Sequence, residues 1–482
     1  MSLNDRWADV NETHIGAVFL AGEHAYKLKK PVDMGFLDFT TREARERVCH
    51  KEVELNRRLS PDVYLGVADV TGPDGGVCDH LVVMRRMPAG RRLSTVVRTG
   101  EPAAEHVHRL AHLLAAFHGK AARGPEIDAE GTAAAVRARW QASFDQVRQF
   151  RGAVLDSAEA VEIERLALTF LSGRKALFDQ RVANGRIVDG HGDLLADDIF
   201  CLDDGPRVLD CLEFDDRLRY VDGLDDVAFL AMDLERLGEP ALGESLLDQY
   251  TDLAGDPAPP ALRHHYLAYR AFVRVKVACL RFAQGDADAA PLARAYAAIA
   301  SRHLRLADVR LVLVGGLPGS GKTTLAGAIA DRLGATVLSS DRVRKELSGL
   351  GAEETAAAPY GEGIYDQKHT ARTYTELLRR AETLLSLGET VVLDASWTDA
   401  TRRRSAARIA ARTNSRLVPL QCWAPVTTAA ARLATRESKL SDATPVVAER
   451  MAEQSDAWPD ARTVLTAGKP ADSVTQALAY VG

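Results

Sequence analysis

Two short stretches of this 482-residue chain carry residue types spaced for chemistry on phosphate: GLPGSGKTT at 316–324 and VDGHGDLLADDIF at 188–200. The first fits the whole pattern Gly-x-x-x-x-Gly-Lys-Ser/Thr, directly after the apolar run LVLV and at the opening of a helical pattern. Gly316, Leu317, Pro318, Gly319, Ser320 and Gly321 form a loop whose backbone N–H groups, with a helix N-terminus behind them, cradle an anion. Lys322 would reach the β- and γ-phosphates of a nucleotide, and Thr323, with Thr324 beside it in the first helical turn, would hold Mg²⁺. In VLSSDRVRKEL, Asp341 follows an apolar strand and Arg344 lies three residues on. A carboxylate there can take the proton of a substrate hydroxyl while Arg344 steers a phosphate or carboxylate; the plainer role for Asp341 is a helix N-cap. Asp394 ends the buried strand of TVVLDASW, where a carboxylate orients the Mg²⁺ shell. Arg432 and Arg436, four apart on one helix face, would bring positive charge to the transferring phosphoryl group from a lid.

The stretch HGDLLADDIF suits phosphoryl transfer of the protein-kinase type, which needs a base, a nearby metal ligand and a second metal carboxylate on the following strand. Asp193 is the expected base, with His191 packed behind the loop, and Asp198 the first metal ligand. VLDCLEFDD then offers Asp210 or Glu213 as the second. Upstream, alternation along HAYKLKK puts Ala25, Lys27 and Lys29 on one strand face, and the order Ala-x-Lys favours Lys27 over Lys29 for phosphate. Val48, Glu52, Leu55 and Leu59 form one helical stripe. A carboxylate interrupting an apolar stripe needs a cationic partner, since burying it alone is costly. Lys27 is the expected partner of Glu52, and Glu54 falls on a solvated face.

These residues need scaffolds of two kinds. Residues 13–92 read as strands with one helix (HIGAVFLAG, HAYKLKK, HLVVMRRM), with turns at AGEH and TGPDGG. Residues 101–180 read as helical, two short strands flank the acidic turn, and helices resume from 222 to about 304, interrupted by the Pro-rich AGDPAPPA loop. The domain boundary falls near 305, where VRLVLVGG begins a strand–helix alternation that implies a parallel α/β sheet. The expected domains are 1–304, with a small lobe to about 93 and a helical lobe after it, and 305–482.

Composition narrows the field. The net charge of −6 gives no global basic field for nucleic acid or an anionic membrane, and the basic run at 401–416 reads as a solvated helix face. The six cysteines lack metal-site spacing, which points to a reducing compartment rather than a zinc site or disulfide framework. No apolar signal core or membrane-length apolar run is present, so a cytoplasmic protein is expected. The oligomeric state stays open.

The P-loop, Asp341, Asp394 and the paired arginines resemble the small P-loop kinases, a group with polynucleotide 5′-kinase, chloramphenicol phosphotransferase, gluconate kinase and the zeta toxins; the resemblance covers 306–482. It implies transfer of the γ-phosphoryl of ATP to a hydroxyl, with Asp341 as base. HGDL and its neighbours resemble the aminoglycoside phosphotransferase family over 12–300, which implies an α+β protein-kinase-like fold, with Asp226 in DGLDDVAFLAMDL bracing the site. Position 198 is Asp where that family mostly has Asn, 195 is Leu rather than the frequent His, and the nucleotide-covering stretch is poor in glycine. Together, YKLKKPV, CxxExxLN, HGDL and DCLEF resemble a bacterial family of fused kinases. The expected function is an ATP- and Mg²⁺-dependent, bifunctional small-molecule phosphotransferase. The alternatives are a ligand-sensing first half regulating a single P-loop kinase, or a nucleic-acid 5′-end kinase, which the charge disfavours.

Overall fold

The computed structural model describes residues 8–12, 16–33, 38–351, 354, 362–435 and 445–482. Two compact units emerge. One comprises 1–163, 178–258 and 265–303; the other comprises 164–177, 259–264 and 304–482. Two short segments before 304 thus group with the later unit.

The first unit opens with a five-stranded antiparallel sheet. Its order is Ala8–Glu12, Gly16–Ala21, His24–Lys29, Val77–Arg85, Tyr64–Thr71. The first and last of these were not singled out from the sequence. The helix Arg42–Asn56, capped by the Thr41 hydroxyl accepting from the Ala44 N–H, packs on the sheet. Cys49 and Val53 meet Ala25, Val63, Tyr64, Val82 and Met84 in its core. The buried stripe is therefore rotated from the expected one: it runs through Arg45, Cys49, Glu52, Val53, Leu55 and Asn56, Val48 is half-buried, and Leu59 lies beyond the helix end. Helices follow, and the strands flanking the acidic turn pair elsewhere: Ile187–Asp189 with Tyr220–Asp222, and Ile199–Leu202 with Gly205–Val208.

The second unit holds an all-parallel sheet in the order Thr336–Ser339, Val391–Asp394, Arg310–Gly315, Arg416–Trp423, Arg462–Leu465. Arg310–Gly315 lies at its centre, and the helix Lys322–Leu333 that follows packs Leu325, Ala326 and Ile329 against Val312, Val314 and Val392. Such a near-continuous run of buried apolar strand residues is what a sheet covered on both faces requires. The strand Arg462–Leu465 was not anticipated. The basic run at 401–416 does not form a single solvated face. It spans the helix Ala400–Arg412, on which Arg404, Arg408 and Arg412 are exposed while Arg403 is buried against the carbonyls of Trp397 and Ala457. Among the described residues no helix is long and apolar enough to cross a membrane.

Candidate functional site

In the first unit four segments converge. Strand His24–Lys29 supplies Lys27 and Lys29, and helix Arg42–Asn56 supplies Glu52. The turn after Ile187–Asp189 supplies His191, Asp193 and Asp198, and the segment after Gly205–Val208 supplies Asp210 and Glu213. Glu52 is fully buried. Lys27 is not its sole partner: Lys27 Nζ lies 2.9 Å from Oε1 and Lys29 Nζ 2.6 Å from Oε2. Burial alone would raise the Glu52 carboxyl, but the two lysines hold it below its ordinary range. Lys27 also lies 2.5 Å from Asp210, and Lys29 pairs with Glu213.

The two candidates for the later metal carboxylate differ in their surroundings. Glu213 is buried against Lys29, whereas Asp210 remains half-open beside the turn that carries Asp193, in a left-handed backbone conformation (φ 64°). Burial, followed by the charges of Asp210 and Asp193, pushes the Asp198 carboxyl well above its usual range, while Lys27 holds Asp210 down to about 2. Burial lifts Asp193 to about 6, with Arg274 acting in the opposite sense. Asp193 and Asp198 in the turn, with Asp210 facing them from the later segment, are carboxylates that could share a divalent cation with nucleotide phosphates. Among the described residues no three His, Cys, Asp or Glu side chains are grouped so that they could hold a metal ion.

The turn is held from behind. Asp226, on helix Gly223–Arg236, accepts the N–H groups of His191 (2.7 Å) and Gly192 (2.9 Å), and His118 Nε2 lies 3.0 Å away. Burial keeps His191 neutral by lowering it to about 4; its Nε2 lies 3.1 Å from the Leu209 carbonyl, and the Asp193 N–H reaches its Nδ1 at 3.3 Å. Gly192 sits at φ 88°, where a side chain would be strained. Arg270 was overlooked in the sequence. Buried on helix Pro260–Ala283, it pairs with Asp225 at 2.8 and 2.9 Å and donates to the Gly192 carbonyl at 3.1 Å. An arginine inside the apolar run LAYRAFV was the available signal. The other two acids of the turn are structural: Asp189 pairs with Arg219, and Asp197 accepts from Ser94.

In the second unit the loop 316–321 joins the central strand to helix Lys322–Leu333, with Gly316, Gly319 and Gly321 all at positive φ. A Cβ on Gly319 would lie 2.5 Å from the Ala429 carbonyl oxygen. Pro318, Gly319, Gly321, Lys322, Thr323 and Thr324 line a cavity of about 730 Å³. Gly316, Leu317 and Ser320, with Pro318, face a smaller, mostly apolar cavity of about 250 Å³. Lys322 Nζ donates to the Leu317 carbonyl (3.0 Å), and the Thr323 hydroxyl donates to Asp394 Oδ2 (2.8 Å) at the end of its buried strand. A hydroxyl and a carboxylate so joined suit a hydrated Mg²⁺ bound to phosphate.

Asp341, Arg344 and Arg432 line the same larger cavity. Asp341 is not the N-cap of helix Ser340–Leu347; Ser339 holds that position without a side-chain cap. The Asp341 carboxylate instead accepts from Arg344 at 2.8 Å. Arg432, on helix Val426–Ala434, donates to the Thr466 carbonyl (2.6 Å) beside the loop. Arg436 lies outside the described residues.

Residues 311–458 match the family model described as AAA domain. Uncharacterized protein Rv2004c of Mycobacterium tuberculosis is 44% identical over 474 residues, spanning 98% of this chain and 95% of that protein. A gluconokinase structure from Sinorhizobium meliloti 1021 covers 36% of this chain and 91% of its own, at 18% identity and a TM-score of 0.26. A choline/ethanolamine kinase family protein from Mesorhizobium loti covers 62% and 91%, at 15% identity and a TM-score of 0.38.

Proposed function

The chain belongs to the family of this mycobacterial protein, with a kinase-like first unit and a P-loop second unit, and we propose that it is a bifunctional ATP-dependent phosphotransferase. Each unit moves the γ-phosphoryl of ATP onto a hydroxyl of a small molecule. The observation that carries this reading is the single cavity shared by the glycine loop, the joined Thr323 and Asp394, and the Asp341–Arg344 pair. Phosphate cradle, metal-shell carboxylate and candidate base then line one space, as in-line transfer needs.

In the second unit Lys322 leaves the Leu317 carbonyl to meet the β- and γ-phosphates, and Asp341 takes the acceptor proton. In the first unit Lys27 exchanges Asp210 for phosphate while Glu52 keeps it aimed, and Asp193 is the base, presented by a turn that Asp226 and Arg270 hold rigid. Bound Mg²⁺, held by Asp198 and Asp210 in one unit and by Thr323 with Asp394 in the other, would supply charge neutralisation on the phosphates. One contact favours a second reading of the first unit, as a ligand-sensing module: its phosphate lysine is already engaged by Asp210.

The test is a phosphorylation screen of metabolite pools with labelled ATP, run on wild type, Asp193→Ala and Asp341→Ala. Two labelled products are expected, each reduced about 10²–10⁴-fold by one substitution alone. Products lost together, or lost in neither variant, would overturn the two-site assignment.

A further inference from the structure

Away from the glycine loop, the larger cavity of the second unit is lined by two arginines, each laid on a tyrosine ring. The Arg344 guanidinium lies 4.7 Å from the ring centre of Tyr365, and that of Arg402 lies 4.3 Å from Tyr374. Stacking fixes the plane of a guanidinium and leaves its in-plane N–H donors pointing outward as a fork, the geometry that takes carboxylate or phosphate. The donors are only partly used. Arg344 gives one Nη to Asp341, and its buried Nε has no acceptor among the described residues. Arg402 Nε lies 3.3 Å from Asp399, and its two Nη groups have no hydrogen-bond acceptor among the described residues.

Arg402 also departs from its neighbours: Arg404, Arg408 and Arg412 of the same helix are exposed, while Arg402 is turned into the cavity wall. Lys322 and Arg432 lie at the glycine loop and are accounted for by the nucleotide. Arg344 and Arg402 remain. A half-desolvated guanidinium with unmet donors is costly beside a neutral ligand and favourable beside an anion. Because Arg344 is tied to Asp341, an anion that it holds sits next to the candidate base.

We propose that the acceptor of the second unit carries a carboxylate or phosphate close to the hydroxyl that is phosphorylated, and that Arg402 with Arg344 binds this group. The inference rests on the P-loop reading of the same cavity and adds the class of acceptor.

Three matched probes test it on the full chain by calorimetry, with a non-hydrolysable ATP analogue and Mg²⁺ saturating: glycerol, glycerate and glycerol 3-phosphate. At least one anionic probe binds and glycerol does not; which anion binds distinguishes carboxylate from phosphate. Arg402→Gln weakens anion binding about 10- to 100-fold with analogue affinity unchanged, and Arg402→Lys, which keeps the charge but not the fork, gives an intermediate loss. Circular dichroism melting confirms that both variants fold. Absence of anion binding to the analogue-loaded wild type, or binding undiminished in Arg402→Gln, overturns the proposal. Failure of the analogue itself to bind in a Lys322-dependent manner defeats the nucleotide reading instead.

Discussion

Lys27 and Lys29 share Glu52, yet their surroundings assign them different work. Lys29 is almost wholly buried between Glu52 and Glu213, whereas Lys27 retains some exposure and pairs with the half-open Asp210. Removing Lys29 leaves two buried carboxylates short of a partner, so Lys29→Met should destabilise the first unit by about 3–5 kcal/mol in urea unfolding. Lys27→Met should cost less stability, because the second carboxylate it leaves, Asp210, is half-open to water where Glu213 is buried, while removing nucleotide binding at that site. Equal stability losses would contradict this division. A second residue-scale prediction concerns His265, fully buried where it accepts from Trp140 Nε1 at 3.2 Å and lowered by burial to about 3. Its folded value lies below its unfolded value of about 6.5, so the unfolded chain binds the proton first as pH falls. Stability is therefore full above pH 6.5 and declines below it, by about 2 kcal/mol at pH 5 from this group. His265→Gln should flatten that slope in denaturant titrations at pH 7 and pH 5; an unchanged slope would remove His265 as its source.

At the scale of elements, both candidate sites are short turns fixed by the helices behind them. The conformation of the glycine loop requires glycine, because three of its residues have positive φ and its outer side meets the helix Val426–Ala434. Gly319→Ala adds strain at φ 78° and a contact with the Ala429 carbonyl oxygen. It should weaken nucleotide binding at the second site at least about tenfold, at a backbone cost of about 1–3 kcal/mol, while leaving the product that depends on Asp193 untouched. The turn of the first unit that carries Asp193 depends instead on helix Gly223–Arg236, whose Asp226 takes two successive N–H groups of the turn. Asp226→Ala should abolish the Asp193-dependent product and spare the other, as read in the same labelling screen.

For the whole molecule the prediction is one of stoichiometry. If Lys27 and Lys322 both hold phosphate as proposed, each chain takes two nucleotides. Calorimetry with the ATP analogue and Mg²⁺ should count two for wild type, one for Lys322→Ala, one for Lys27→Met and none for the double variant. A single wild-type site, abolished by Lys322→Ala, would leave the first unit as a sensing module.

Local patterns in the sequence carried much of this. The glycine loop was legible because its chemistry is written within nine residues, and alternation along HAYKLKK was legible because a strand has a strict period of two. The strand–helix alternation after 305 likewise announced a parallel sheet. Tertiary structure decided what depends on partners distant in the chain. Whether Asp210 or Glu213 stays open is set by pairs with Lys27 and Lys29 that lie 183 and 184 residues apart, and Lys29 joins Lys27 on Glu52 only when strand and helix pack; no periodicity reaches either. The same holds for Arg270 beneath Gly192 and for Arg402, which looked like one more solvated arginine until the fold laid it on Tyr374. A charge becomes informative when burial removes its water, and burial is a property of the packed chain rather than of the residue.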